Sequence, residues 1–117
     1  MKSHKILVVD DQEEIRDMSK TVLERAGYRV GVSRNAQEAL DILDKEEDYE
    51  LVITDLNLPG LNGLELIKEI KKRYPHCKTL LMTGSFLVNY MDRKDCLHKP
   101  FSFIELVSKI KKCLSSP

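Results

Sequence analysis

Ile6-Leu7-Val8-Val9-Asp10-Asp11 is the stretch that decides the fold, because a short apolar run ends in two carboxylates. A continuous apolar run rich in β-branched residues is typical of a parallel strand buried on both faces. The same pattern recurs at residues 51–55, which have the sequence Leu-Val-Ile-Thr-Asp. Two such runs predict a parallel sheet that carries acidic side chains at its carboxyl edge.

Strand-like and helix-like patterns alternate along the rest of the chain. Strands are predicted at 6–9, 28–32, 51–54, 79–82 and 96–98. Apolar residues at helical spacing predict helices at 15–26, 36–43, 66–74 and 103–114. This alternation predicts an α/β fold, a doubly wound five-stranded parallel sheet whose simplest order is the flavodoxin-like 2-1-3-4-5.

Signals at the helix ends support these elements. Gly27 and Pro75 are expected to end the first and third helices. Four capping pairs mark predicted helix starts: Asp11/Glu14, Asn35/Glu38, Asn62/Glu65 and Ser102/Glu105. Residues 86–94 show no such pair and no clean helical pattern, and the charged stretch Asp44–Glu50 is expected to be a solvated connection.

Size and composition limit the classes of function. The 117 residues are enough for one domain, so residues 1–117 are expected to form a single unit. Nineteen basic and nineteen acidic residues give a net charge of zero, which predicts no nucleic-acid or membrane partner. Three scattered cysteines without a Cys-x-x-Cys pattern indicate reduced thiols, and no signal peptide or membrane-spanning run is evident. We therefore expect a cytoplasmic protein.

The predicted strand order brings several reactive side chains to one place. Strands 1 and 3 are neighbours in that order, so Asp10 and Asp11 lie beside Asp55, with Thr83 and Lys99 on its other side. Clustered carboxylates repel one another, and Mg²⁺ would offset the repulsion. Asp55 would then remain an ionised nucleophile beside a hydroxyl and an ammonium group, which predicts a site for a divalent cation and a phosphoryl group.

Each residue also has a purely structural interpretation. Asp11 alone fits a helix N-cap, and Asp55 alone fits the start of a turn. Thr83 alone fits a strand end, and Lys99 alone fits a surface charge. The site hypothesis depends on their joint position at the ends of four different strands.

The sequence resembles the receiver domain of bacterial two-component response regulators, the CheY-like family, over essentially its whole length. The resemblance lies in the motifs Ile6–Asp11, Asp55–Gly63, Met82-Thr83-Gly84 and Lys99-Pro100-Phe101. It implies that Asp55 accepts phosphate from a sensor histidine kinase or a phosphotransfer protein. It also implies that Asp10, Asp11, Asp55 and the backbone carbonyl of Asn57 bind Mg²⁺.

The resemblance implies further roles on the other side of the phosphoacceptor. Thr83 would be the switch hydroxyl and Lys99 a contact to the phosphoryl group, with the Lys99–Pro100 bond cis. Two departures stand out, because Cys96 replaces a common aromatic residue and the segment from Thr83 to Lys99 is short for the family. The second departure predicts a shortened or irregular fourth helix between the last two strands.

The leading hypothesis is a phosphorylation-dependent signalling switch that changes its affinity for a downstream protein, and not an enzyme with a separate substrate. A phosphate-independent interaction module on the same fold is the main alternative. A Mg²⁺-dependent aspartyl-phosphate phosphatase is disfavoured because Asn57 stands where such enzymes carry a second aspartate. A flavodoxin is disfavoured because Asp10-Asp11-Gln12-Glu13 would repel the phosphate of a flavin.

Overall fold

The computed structural model describes residues 4–83, 96–98 and 101–115. These residues include a five-stranded parallel sheet in the order β2-β1-β3-β4-β5, which confirms the predicted topology. The strands are β1 Lys5–Val9, β2 Arg29–Ser33, β3 Leu51–Asp55, β4 Lys78–Thr83 and β5 Cys96–His98. The helices are α1 Glu13–Arg25, α2 Ala36–Lys45, α3 Gly63–Arg73 and α4 Phe103–Ser115. The predicted irregular helix over residues 86–94 lies outside the described residues.

The sheet has one apolar cluster on each face because its central strands are buried on both sides. Alternate residues of β1 face opposite clusters, as the twofold side-chain period of a strand requires. On one face Leu7 and Val9 pack with residues of α2 and α3, and on the other Ile6 and Val8 pack with residues of α1 and α4. β1 and β3 are therefore held firmly, and the residues at their carboxyl ends have fixed positions.

The predicted cap at Asp11 is wrong. α1 begins at Glu13, and its N-cap Gln12 makes no side-chain capping bond. Oδ1 of Asp10 instead accepts a hydrogen bond from the backbone N–H of Gln12 at 2.9 Å. The chain therefore turns into the helix around the Asp10 carboxylate, which leaves Asp11 outside the helix and exposed.

The other three predicted caps are present. The side chains of Asn35 and Asn62 accept hydrogen bonds from the backbone N–H of the glutamate three residues later, at 2.8 and 2.9 Å. Asn62 forms a full capping box, and Ser102 forms both bonds of one at 3.1 and 3.3 Å. Glu38 differs because its carboxylate accepts from the N–H of Arg34 rather than that of Asn35.

Gly27 ends α1 as predicted. Its φ of +99° is in the left-handed region, where glycine carries no steric penalty. The N–H of Tyr28 donates to the carbonyl of Leu23 at 3.1 Å and that of Gly27 to the carbonyl of Glu24 at 3.0 Å. These two bonds form a Schellman motif, which satisfies carbonyls that the helix end would leave without donors.

The stretch Asp44–Glu50 is not the wholly solvated connection that its charge predicts. α2 continues to Lys45, and Tyr49 is only 4% exposed. Its ring packs over Gly31, where an added Cβ would lie 2.0 Å from the tyrosine Oη. Nζ of Lys5 lies 4.5 Å from the centroid of the same ring. The aromatic ring therefore belongs to the core, and only its neighbours in sequence are solvated.

No helix in the described part of the chain has both the length and the apolar character that a membrane crossing requires.

Candidate functional site

Asp10 is fixed at the end of β1 by backbone contacts. Its N–H donates to the carbonyl of Ser33 at 3.1 Å, which extends the pairing of β1 with β2 by one residue. Its carbonyl accepts a hydrogen bond from Nη1 of Arg16 at 2.8 Å, and its Oδ1 accepts from Gln12. The side chain is fully buried. The backbone on both sides of this carboxylate is thus tied to β2 and to α1.

Asp55 is the last residue of β3 and lies next to Asp10. The strand register pairs Val9 with Thr54, so the residues that follow them end side by side. Asp55 is 7% exposed, and the N–H of Asn57 lies 3.4 Å from its Oδ1. The Asp55 carboxylate therefore has only a small part of its surface open to solvent.

Asp11 completes a cluster of three carboxylates. One oxygen from each of Asp10, Asp11 and Asp55 lies within 4.8 Å of the other two. Two members are buried and Asp11 is exposed, so the cluster is open on one side. Carboxylate oxygens are ligands that Mg²⁺ prefers, and an open side leaves room for water and phosphate oxygens in its octahedral shell. The donor set therefore fits this cation.

Thr83 lies on the other side of Asp55, as the strand order predicts. It is the last residue of β4, it is 1% exposed, and the register places it one position beyond Met82, the partner of Asp55. Lys99 and Pro100 lie outside the described residues. The structure thus brings Asp10, Asp11, Asp55 and Thr83 to one edge of the sheet.

Cys96 occupies the position where the family resemblance leads us to expect an aromatic ring. It is 7% exposed and packs in a small apolar cluster with Ile67 and Leu81. The register pairs it with Leu81 of β4, two residues before Thr83. The Cys96 side chain is therefore packed against its neighbours on β5, the edge strand of the sheet.

Gly63 supports the site in a way that the sequence pattern did not indicate. It begins α3, and its N–H donates to the carbonyl of Leu56 at 2.9 Å. A Cβ at this position would lie 2.2 Å from the backbone oxygen of Asp55. Only glycine lets the helix start approach the end of β3 so closely.

Arg16 is the second supporting residue that sequence reasoning missed. Its contact with the Asp10 carbonyl spans six positions in the chain and joins α1 to the acidic loop. A basic residue on a charged helix gives no sequence signal for such a contact. The side chain places a guanidinium group beside the loop that carries Asp10 and Asp11, where it offsets part of the local negative charge.

Comparison with known proteins identifies the family. Residues 6–111 match the response regulator receiver domain. The chain is 37% identical over 116 residues to the "Transcriptional regulatory protein CpxR homolog" of Haemophilus influenzae, covering 94% of this chain and 50% of that protein. It is 32% identical over 120 residues to "Sporulation initiation phosphotransferase F" of Bacillus subtilis, covering 97% of this chain and 96% of that protein. The chain thus spans half of the first relative and nearly all of the second.

Solved structures of response regulators have the same fold as this chain. A putative response regulator from Chloroflexus aurantiacus superposes with a TM-score of 0.88 at 31% identity, covering 98% of this chain and 100% of that one. The chemotaxis response regulator CheY4 of Vibrio cholerae superposes with a TM-score of 0.87 at 27% identity, covering 97% of this chain and 100% of that one. The match over residues 6–111, together with this fold and the acidic cluster at its carboxyl edge, shows that the chain belongs to the receiver domain family of two-component response regulators.

Proposed function

We propose that residues 1–117 act as one receiver domain that is phosphorylated on Asp55 and changes its affinity for a partner protein. The observation that carries the proposal is the cluster of three carboxylates around Asp55 at the carboxyl edge of the sheet. A buried carboxylate with one open side is suited to attack phosphorus. The same cluster supports a metal site formed by Asp10, Asp11, Asp55 and the backbone carbonyl of Asn57.

The proposed reaction is transfer of a phosphoryl group from a phosphohistidine. An oxygen of Asp55 forms a bond to phosphorus, the bond from phosphorus to the donor imidazole breaks, and that nitrogen takes up a proton. When bound, Mg²⁺ would neutralise charge that builds up on the phosphoryl oxygens. The Thr83 hydroxyl can then donate to one of these oxygens, and Lys99 would supply a positive charge. Water later cleaves the acyl phosphate and restores the aspartate.

The partners follow from this chemistry. Receiver domains act with histidine kinases and downstream effectors, and we propose a sensor histidine kinase or a phosphotransfer protein as the phosphate donor here. The downstream target is proposed to be a protein, since the net charge of zero gives no general attraction to nucleic acid or to an anionic membrane. A cytoplasmic location accords with such partners. The domain is proposed to catalyse only its own phosphorylation and dephosphorylation.

The main alternative keeps the fold but not the phosphate chemistry. Cys96 supports it, because a thiol packed against Ile67 and Leu81 cannot swing between inward and outward positions as an aromatic ring does. A module of this kind would bind its partner with the same affinity whether or not Asp55 carried phosphate.

Intact mass after incubation with Mg²⁺ and acetyl phosphate tests the proposal. Wild type is expected to gain the mass of one phosphoryl group, and Asp55→Asn is expected to gain none. Asp44→Asn is the matched control, because Asp44 is an exposed aspartate on α2 and should not affect uptake. Unmodified wild type would contradict the proposal and favour the phosphate-independent module. An adduct on Asp55→Asn would contradict the assignment of Asp55 as the phosphoacceptor.

A further inference from the structure

The peptide unit that joins Asp55 to Leu56 is held by three contacts. Its carbonyl, which belongs to Asp55, accepts a hydrogen bond from the hydroxyl of Thr54 at 2.9 Å. Its N–H, which belongs to Leu56, donates to the carbonyl of Met82 at 3.1 Å. α3 approaches the unit at Gly63, where an added Cβ would lie 2.2 Å from the same carbonyl oxygen. Groups from β3, β4 and α3 therefore fix this one unit.

Thr54 supplies the only one of these contacts that comes from a side chain. Its side chain is fully buried, in a strand whose preceding residues are all buried and apolar. It lies on the same face of the sheet as Val52, the face that α2 and α3 cover. A buried hydroxyl is unfavourable unless it is hydrogen-bonded, and valine has nearly the same shape without that requirement. The hydroxyl at this position therefore calls for an explanation beyond the filling of space.

The orientation of this peptide unit affects the proposed site directly. Rotation of the unit changes ψ of Asp55 and φ of Leu56 together, so it moves the phosphoacceptor relative to the loop that follows. The proposed metal ligand Asn57 lies in that loop, and its N–H is 3.4 Å from Oδ1 of Asp55. On the other side, the carbonyl that binds the Leu56 N–H belongs to Met82, the residue before Thr83. The unit thus connects the phosphoacceptor to both of its proposed partners.

We propose that Thr54 is a positioning residue for the phosphorylation of Asp55. Its hydroxyl holds the Asp55 carbonyl, and through it the carboxylate, in the orientation needed for attack on phosphorus. Transfer rates depend steeply on such alignment. The inference rests on the function proposed for Asp55, and Thr54 acts through the backbone rather than on the phosphoryl group. A hydroxyl with a purely structural role would affect the free energy of unfolding but not the rate of phosphorylation.

Thr54→Val and Thr54→Ser separate the hydroxyl from the space that it fills. The initial rate of phosphoryl uptake is measured over a range of acetyl phosphate concentrations with Mg²⁺, and urea midpoints show that each variant is folded. Thr54→Val should lower the maximal rate at least about fivefold, as expected for the loss of one buried hydrogen bond. The concentration that gives half of that rate should not change, because Thr54 does not act on the donor. Thr54→Ser should restore the maximal rate, because serine keeps the hydroxyl.

Thr79→Val is the matched control. Thr79 is also a buried threonine, but it lies at the start of β4, where the register pairs it with Val52. Its replacement should leave the uptake rate unchanged. A Thr54→Val variant that is phosphorylated as fast as wild type, or a Thr54→Ser variant as slow as Thr54→Val, would overturn the role of Thr54 alone. Wild type that takes up no phosphate would instead overturn the function proposed for Asp55, and this role with it.

Amide hydrogen exchange at Leu56 tests the stated cause without Mg²⁺ or a phosphodonor. Thr54→Val should exchange this amide at least about fivefold faster than wild type, beyond any change in the most slowly exchanging amides of the sheet. Thr54→Ser and Thr79→Val should exchange it as wild type does. Equal exchange at Leu56 in wild type and Thr54→Val would show that the hydroxyl does not hold the peptide unit, and would overturn the inference.

Discussion

Asp11→Asn is expected to stabilise the protein in the absence of divalent cations. The Asp11 carboxylate has an oxygen within 4.8 Å of one from each of Asp10 and Asp55. Two unit charges at this separation repel by about 0.9 kcal/mol in water and by about 3.5 kcal/mol at an effective dielectric constant near 20. Because Asp11 is exposed, the lower value applies. Its two pairs together then cost about 1.7 kcal/mol.

Two other effects of the substitution are smaller. No capping bond is lost, since the N-cap of α1 is Gln12 and the turn is made by the Asp10 carboxylate. The negative charge of Asp11 near the start of α1 interacts favourably with the helix dipole, and its removal costs about 0.3–1 kcal/mol. The free energy of unfolding should therefore rise by about 1 kcal/mol.

The same substitution should remove most of the stabilisation by Mg²⁺. At a Mg²⁺ concentration about 100 times the dissociation constant, wild type should gain about 2.7 kcal/mol. At that same concentration Asp11→Asn should gain much less, because it lacks one of the proposed ligands. Urea unfolding with a chelator and with Mg²⁺ measures both effects, with Asp44→Asn as the control that should change neither. A less stable metal-free variant, or one that gains as much from Mg²⁺ as wild type does, would refute the reasoning.

Two further predictions concern Gly63 and Cys77. Gly63→Ala should lower the free energy of unfolding by about 2 kcal/mol and slow phosphoryl uptake, because its Cβ would meet the backbone oxygen of Asp55. Gly27→Ala is the control, because its Cβ would meet no other atom and only the positive φ is unfavourable. It should lower the free energy of unfolding by about 1 kcal/mol and leave phosphoryl uptake unchanged. Equal uptake by the two variants would contradict the role of Gly63. Burial raises the pKa of Cys77 to about 12, so the folded state keeps the thiol proton to higher pH than the unfolded state does. This contribution is fully present below about pH 9, the ordinary pKa of the thiol, and is lost as the pH rises towards 12. Between pH 8 and 10.5 wild type should therefore lose about 2 kcal/mol more stability than Cys77→Ala, and equal losses in urea unfolding would exclude it.

The sequence was enough to predict the sheet order and the positions of Asp10, Asp55 and Thr83, because both follow from simple patterns. Runs buried on both faces predict parallel strands, and the strand order places Asp10, Asp55 and Thr83 at one edge. The positions of these residues then depend on topology alone. The cap at Asp11 was predicted wrongly because a polar residue before a helix does not indicate which neighbouring carboxylate makes the turn.

The features that sequence reasoning missed depend on contacts between different structural elements. Tyr49 lies in a charged stretch, and its burial follows from the space above Gly31 of a different strand. Gly63 is required by its approach to the end of β3, and Arg16 is tied to the Asp10 carbonyl. None of these contacts has a local pattern, since each depends on how two elements meet after the fold has formed.

The geometry of the acidic cluster does not depend on attraction between its members, which repel one another. It is imposed by the strands that precede them. Val8 and Ile53, a register pair in β1 and β3, are each 1% exposed, and burial of a large apolar side chain contributes about 1.5–3 kcal/mol. That contribution is comparable to the repulsion between neighbouring carboxylates. Replacing Asp55 with asparagine should therefore leave the strands in register, and a loss of phosphoryl uptake in that variant would report chemistry rather than unfolding.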